Sequence, residues 1–354
     1  MRVALDATPL ALASGGLRRY TWELSRALAE QFPEDSFLLV SDQPFAVPAP
    51  APPNLARGGG PRNALERRWW SWGLNRELAR SRVDLFHGTN FEAPYVPARP
   101  SVITLHDLSP WMDPAWHQGA RRVRRRTPLL LGLKLAPIVI TPSAAVRRQA
   151  IERFRIHPLR ILAVPEAAAA HFRPQETRPA RPYFLFAGTL EPRKNLGLLV
   201  EAWRAARGTS QVELVLAGRR REDFGALPAE AGLRVLGEVP DAELAALYSG
   251  ALAFLYPSLY EGFGLPVLEA MQCGAAVIAS SDEAIAEVAS GAAVLLGAGD
   301  ARAWREAMRQ AIERPDWVAD LRARSLARAR EYSWRRTARL TREVYEEARR
   351  QFGI

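Results

Sequence analysis

Pro257-Ser-Leu-Tyr-Glu261-Gly-Phe-Gly-Leu-Pro-Val-Leu-Glu269-Ala-Met-Gln-Cys-Gly274 follows the apolar run Leu252 to Tyr256. Such a run bounded by turn residues reads as a short buried strand. Pro266 stands where the next helix begins, because its fixed φ suits the first helical turn, and Gly274 closes that helix. The strand–turn–helix has two chemical consequences. Gly262 and Gly264 let the backbone approach a ligand, and the N–H groups at the helix start offer an anion site that would suit a phosphate or a sugar hydroxyl. Glu261 precedes the glycines, and Glu269 lies one turn into the helix with its side chain leaning back toward the N-terminus. Both carboxylates are expected to face one ligand, as general acid and base or as acceptors for polyol hydroxyls. A solvated strand–loop–helix connection is the plainer alternative.

Glu261-Gly-Phe-Gly-Leu-Pro-Val-Leu-Glu269 resembles the Glu, seven residues, Glu motif of the retaining glycosyltransferases of family 4. The resemblance implies an α/β chain of the GT-B fold: two Rossmann-like, doubly wound domains facing a cleft, with a C-terminal helix crossing back to the first. It also implies a nucleotide-diphospho-sugar donor on the C-terminal domain and a glycan or lipid-linked acceptor on the N-terminal one. Glu269 would hold ribose hydroxyls, while Glu261 and the N–H groups near Gly262 to Leu265 would contact the sugar.

Length and composition agree with two domains. At 354 residues the chain exceeds what one core usually organises. The expected division is 1–172, 173–333 and a helix over 334–354, since Arg173 to Arg181 is rich in proline and arginine. No run approaches a membrane span, and Met1-Arg-Val-Ala-Leu-Asp reads as a first strand rather than a signal peptide. The single cysteine, Cys273, excludes an internal disulfide framework and fits a cytoplasmic protein. A net charge of +10 and a pI near 10.4 permit nucleic acid, anionic membrane or a polyphosphate ligand.

Outward from the central stretch, Tyr183 to Ala187 reads as the first strand of the second sheet. Gly188-Thr-Leu-Glu-Pro-Arg193-Lys194-Asn195 then leads into a helix from Leu196 to Arg207, with Asn195 as its expected N-cap. Lysine occurs only at Lys134 and Lys194, so a lysine at the ligand end of a strand stands out. Arg193 can fork onto phosphate oxygens and Lys194 adds a point charge, which suits a nucleoside diphosphate leaving group; a surface turn is the alternative. By resemblance, the loop around Gly237 lies against the nucleotide base.

In the first half, Arg2 to Asp6 is a strand, and Gly15-Gly16 precedes a helix from about Leu17 to Gln31. The glycine pair is a plain turn or, by resemblance, a loop facing donor phosphates and acceptor. Asp42 to Pro61 reads as an irregular loop, and Leu65 to Arg80 as a helix carrying Trp69, Trp70 and Trp72, which pack on the sheet or rest on a membrane. His87 and His106 each end a strand. His87 reads as structural, whereas His106-Asp107 resembles the His-Asp of bacterial mannosyltransferase-like members, where the imidazole approaches the donor sugar. Arg121 to Arg126 is a solvated face or a patch for anionic lipid headgroups, which would make the protein peripheral on the inner membrane face. After the strand ending near Pro165, Glu166 occupies the first position of the family's turn, but the glycine that usually follows is Ala167 here.

These readings converge on a retaining hexosyltransferase, with mannose from GDP-mannose suggested by the His-Asp resemblance. No Asp-x-Asp motif is present, so no metal and no cofactor are expected beside the donor. A GT-B sugar-nucleotide epimerase is the rival within the enzymes. A basic nucleic-acid-binding protein is the rival outside them, though no module combining stacking and basic residues is apparent, and no nucleic acid is expected as a partner.

Overall fold

A computed structural model describes residues 1–352 apart from Gln118 and Ala226. The chain forms two compact units, Met1–Glu166 together with the chain from Ser333, and Ala167–Tyr332. The last two residues of the expected C-terminal segment 334–354 lie outside the described residues.

In the first unit the strands are β1 (Arg2–Asp6), β2 (Ser36–Val40), β3 (Leu55–Arg57), β4 (Leu85–Gly88), β5 (Ser101–Thr104), β6 (Ile138–Thr141) and β7 (Ile161–Ala163). They make a parallel sheet of 7 strands in the order β3-β2-β1-β4-β5-β6-β7. The inner strands read as continuous apolar runs because helices cover both faces, leaving no polar side. The second unit repeats the plan. Its strands β8 (Tyr183–Ala187), β9 (Glu213–Ala217), β10 (Leu233–Gly237), β11 (Ala253–Tyr256), β12 (Val277–Ser280) and β13 (Val294–Leu296) pair in parallel in the order β10-β9-β8-β11-β12-β13. In each sheet the order reverses beside the first strand, between β1 and β4 and between β8 and β11. There the crossovers leave in opposite directions, and a crevice opens beyond the carboxyl ends of the strands.

The core of the second unit is filled by Phe172, Phe184, Phe186, Trp203, Trp304 and Met308. Both tryptophans reach a carbonyl, Trp203 Nε1 donating to Val212 O and Trp304 Nε1 to Gly297 O, each at 3.0 Å, so their polar ends are satisfied. The C-terminal helix Trp334–Phe352 belongs to the first unit. Its buried residues Trp334, Thr337, Ala338, Thr341, Val344, Tyr345 and Ala348 recur at helical spacing and form one stripe. Thr337 Oγ1 donates to Pro165 O, Arg342 pairs with Asp35 at 2.7 Å, and the Tyr345 hydroxyl lies 2.7 Å from His87 Nδ1. The other His87 nitrogen lies 2.8 Å from Thr104 Oγ1. Burial, then the charge of His106, pushes the His87 imidazole down to about 3, so it is a neutral core residue, as its sequence context suggested. No helix among the described residues is long and apolar enough to cross a membrane.

Several boundaries differ from the sequence expectation for identifiable reasons. The unit boundary falls after Glu166 rather than at 172, because Ala168, Ala169 and Phe172 are buried in the second core and Gln272 Nε2 donates to Ala169 O and Phe172 O. The irregular stretch 42–61 contains β3, an edge strand with one buried side chain and hence little apolar signal. It is anchored by the Asn54 side-chain amide, which lies 3.0–3.1 Å from the carbonyls of Ala29, Phe32 and Asp35. The helix expected over 65–80 is divided into a wide π-turn, Trp69–Gly73, and a helix, Leu74–Arg80. At Gly73 a β-carbon would lie 2.1 Å from Glu66 O, so the chain crosses itself where only glycine fits. Trp69 is buried and Trp70 packs on Phe86, whereas Trp72 is exposed.

Candidate active site

Beyond β8 the backbone turns at Gly188 with φ +145°, and the loops after β8 and β9 touch: a β-carbon at Gly218 would lie 2.0 Å from Gly188 O. Leu190 N donates to Arg219 O, and a 3-10 turn, Pro192–Lys194, carries the two cations toward the loop after β11. Leu259 N donates to Arg193 O at 2.9 Å, which fastens that loop to the turn. Asn195 stands at the N-cap position in the left-handed region, φ 55°, but its side chain does not cap the helix. It donates instead to Ala298 O at 2.7 Å, a partner from a distant loop that local sequence could not reveal.

Between these loops sits a buried ionic cluster. Glu261 Oε1 receives Lys194 Nζ, the Ser258 hydroxyl, the Tyr256 hydroxyl at 3.0 Å and Arg193 Nη1 at 3.1 Å. Lys194 Nζ also donates to the Tyr256 hydroxyl at 2.6 Å. Burial alone would keep Glu261 protonated, but Arg193, Lys194 and the Ser258 hydrogen bond outweigh it and hold the carboxyl at about 2. Burial and the neighbouring Arg193 push the Lys194 ammonium below its ordinary value, against the pull of Glu261. The glutamate is therefore ionised at every physiological pH, and all of these donors converge on a single oxygen, Oε1.

Three further residues hold the cluster, and the sequence reading did not single them out. Glu191 clamps two guanidinium groups, Arg193 Nη2 on Oε1 at 2.7 Å and Arg221 Nη1 on Oε2 at 3.0 Å. Asp282 caps the helix Glu283–Ala289 by accepting from Ala284 N and Ile285 N, and it also takes a backbone hydrogen bond from Glu261. Ser280 Oγ donates to Ser258 O at 2.6 Å, so the end of β12 supports the loop after β11. A local signal existed only for Asp282, in the Ser-Asp-Glu preceding a helix.

The helix Leu265–Gln272 begins at Gly264, whose φ of +97° a side chain would strain, with Pro266 in the first turn. Phe263 and Leu265 are buried, Phe263 packing edge-on against Tyr332. Glu269 is buried one turn into this helix, and its Oε2 accepts from the Tyr248 hydroxyl at 3.3 Å. Burial and the Glu269 charge push the neighbouring Cys273 thiol up to about 12, which makes it an inert packing residue. Gly237 ends β10 with φ +73°; its carbonyl accepts from Gly218 N, and the space around its Cα is open.

In the first unit, Gly15 (φ +110°) and Gly16 stand at the start of the helix Gly16–Gln31, both exposed with nothing near their Cα atoms. His106 Nε2 donates to Thr89 O at 2.7 Å, Nδ1 lies 3.3 Å from Glu166 Oε1, and Tyr20 packs edge-on at 4.7 Å. Glu166, the turn residue that is not followed by glycine, is thus buried against the imidazole. Asp107 does not share this arrangement. Its Oδ1 accepts from Ser109 N and Ser109 Oγ, so it stabilises the turn into the helix Ser109–Met112. Among the described residues no group of His, Cys, Asp or Glu side chains is placed to hold a metal ion.

Residues 14–168 match Glycosyltransferase Family 4, and residues 169–332 match Glycosyl transferases group 1. The chain is 32% identical over 282 residues to O-antigen chain mannosyltransferase B of Escherichia coli, covering 74% of each chain. The chain belongs to glycosyltransferase family 4. This glycosyltransferase is also 28% identical to the serotype-specific mannosyltransferase WbdA of Escherichia coli, over 69% of its own length and 33% of that protein's. Its fold matches the crystal structure of Anabaena Alr3699/HepE in complex with UDP-glucose, with a TM-score of 0.75, 17% identity and coverage of 98% and 99%. The fold is GT-B.

Proposed function

We propose that the glycosyltransferase is a retaining, metal-independent enzyme that moves mannose from GDP-mannose to a glycan or lipid-linked acceptor in cell-surface polysaccharide synthesis. The observation that carries this reading is the convergence of Arg193, Lys194 and Glu261 where the strand order of the second sheet reverses. Two cations in a water-poor site match a diphosphate that gains charge as the sugar leaves, so no divalent ion is needed there. Glu261 Oε2 and the amides from Gly262 to Leu265 take sugar hydroxyls, Glu269 takes ribose hydroxyls, and the backbone turn at Gly188 and the open space at Gly237 admit the nucleotide. In the first unit, Gly15 and Gly16 leave room for a ligand at the backbone, and His106 is the residue offered to a sugar there, with Asp107 holding the turn that follows it. The acceptor oxygen attacks the anomeric carbon on the face the phosphate leaves, and a phosphate oxygen takes the acceptor's proton. Mannose is supported by the activities in the names of the two Escherichia coli relatives.

The test is thermal stabilisation by nucleoside diphosphates and their sugars, with and without EDTA, since a ligand that binds only the folded state raises its midpoint. GDP and GDP-mannose are expected to raise it equally in EDTA and in magnesium. A response to uridine donors alone would remove the mannose assignment, and none to any nucleotide would remove the donor site. Product formed from the donor without an acceptor would instead favour the epimerase.

A peripheral membrane site is supported by the helix Arg121–Gly132, which exposes Arg121, Arg122 and Arg125 on the face that also presents Leu129 and Leu133, 63% and 67% exposed. Arginines near anionic headgroups and leucines in the interface each favour binding, by about 1 kcal/mol per arginine. Replacing the three arginines with serine is expected to abolish co-flotation with phosphatidylglycerol vesicles at low salt. Undiminished flotation would sink the membrane reading.

A further inference from the structure

The loop after β4 lies where the strand order of the first sheet reverses, and it folds tightly onto the strand end: a β-carbon at Gly88 would lie 1.7 Å from Glu92 O. Phe91 is held in the left-handed region, φ +58°, its amide donating to Thr104 O at 3.0 Å. A bulky residue there is strained, and such strain persists where surrounding structure enforces it. The result is an aromatic wall. The half-buried Phe91 ring stands 6.1 Å from Trp111 and 6.2 Å from His106, centroid to centroid.

The same loop carries polar groups whose bonding the fold does not complete. Glu92 Oε1 lies 3.5 Å from Arg126 Nη1 and 3.9 Å from Arg122 Nε, beyond good hydrogen-bond length. Among the described residues Glu92 Oε2, Asn90 Oδ1 and the Tyr95 hydroxyl have no hydrogen-bond partner, while the Arg126 guanidinium stacks 4.4 Å above the Tyr95 ring. Each unmet buried group is a cost that folding alone does not reward. Burial raises the Glu92 carboxyl to about 7, with Arg122 opposing and Asp42 adding to the rise. The site is therefore unsuited to an anion, because Asp42 and Asp6 add like charge nearby. Acceptor oxygens, guanidinium donors and an aromatic face match a neutral polyol ring, whose hydroxyls both donate and accept.

We propose that Asn90, Phe91, Glu92 and Trp111, with Tyr95 and Arg126, form a saccharide subsite that binds a pyranose unit of the acceptor glycan. This rests on the proposed transfer to a glycan acceptor. The probe is methyl α-mannoside, titrated by saturation-transfer NMR against the full chain, Asn90→Ala and Glu92→Gln, with each variant's unfolding midpoint as the control for folding. Binding is expected to the wild type and to be weaker by about tenfold in each folded variant. Wild-type affinity in both variants, or no saturation transfer to the wild type, overturns the subsite. Wild-type turnover of GDP-mannose, measured separately, distinguishes the two readings. If turnover is absent while the probe responds as expected, the donor assignment falls and the subsite stands; if turnover is present and both variants bind the probe as tightly, the subsite alone falls.

Discussion

Lys194→Ala is expected to lower sugar transfer by about two to three orders of magnitude while the protein remains folded. The ammonium is buried, carried on a short turn and held by the Tyr256 hydroxyl and Glu261, so it is already in place when charge develops on a departing diphosphate. Preorganisation of this kind is worth far more in a dry site than the same cation in water. The fold tolerates the change because Glu261 keeps Arg193, Tyr256 and Ser258 as partners, so no buried charge is left alone. Turnover of GDP-mannose, with circular dichroism and the unfolding midpoint on the same sample, checks it. A folded variant within a few fold of wild-type turnover would remove Lys194 from the phosphate site.

The strand–turn–helix after β11 and the turn carrying Arg193 and Lys194 were legible because their signals are local. Gly262, Gly264 and Pro266 announce a strand–turn–helix whatever surrounds them, and a lysine as rare as Lys194 is visible without any contact map. The strands β1 and β8 fall where uninterrupted apolar runs placed them, since burial on both faces removes the polar residues that would blur their ends. What was not legible depends on partners far along the chain. Glu191 acquires its role from Arg221, which the crossover through the helix Leu196–Arg207 brings alongside, and Asp282 from the Glu261 backbone. Asn195 has the right residue type and position for a cap, yet Ala298 O competes successfully for its amide. Asp107 was read beside His106 from a family resemblance, but neighbours at the end of a strand point apart, and its carboxylate finds Ser109 while the imidazole finds Thr89 O and Glu166. The short β3 escaped because an edge strand with a single buried side chain has no periodicity to read.

Glu261→Gln separates the two halves of the donor. The amide keeps an oxygen for a sugar hydroxyl, but it removes the negative charge that neutralises Arg193 and Lys194. Binding of bare GDP is therefore expected to hold or tighten, because the cations meet the diphosphate without an internal competitor. Sugar transfer is expected to fall by about a hundredfold, since the Lys194 and Arg193 geometry that the carboxylate enforces is lost. The substitution also has a signature in stability. Glu261 is held near 2, below its ordinary 4.5, so its ionised form stabilises the fold fully above pH 4.5, and that stabilisation is lost as pH falls toward 2. Glu261→Gln is then expected to be less stable than wild type at pH 7, with the difference closing on acidification. Urea unfolding at pH 7 and pH 3, beside GDP titration and turnover at pH 7, reads all three quantities. If GDP binding and transfer fall by the same factor, Glu261 acts on the nucleotide as a whole and its place at the sugar is wrong; a stability difference that does not shrink in acid would remove the ionised carboxylate as the centre of the cluster.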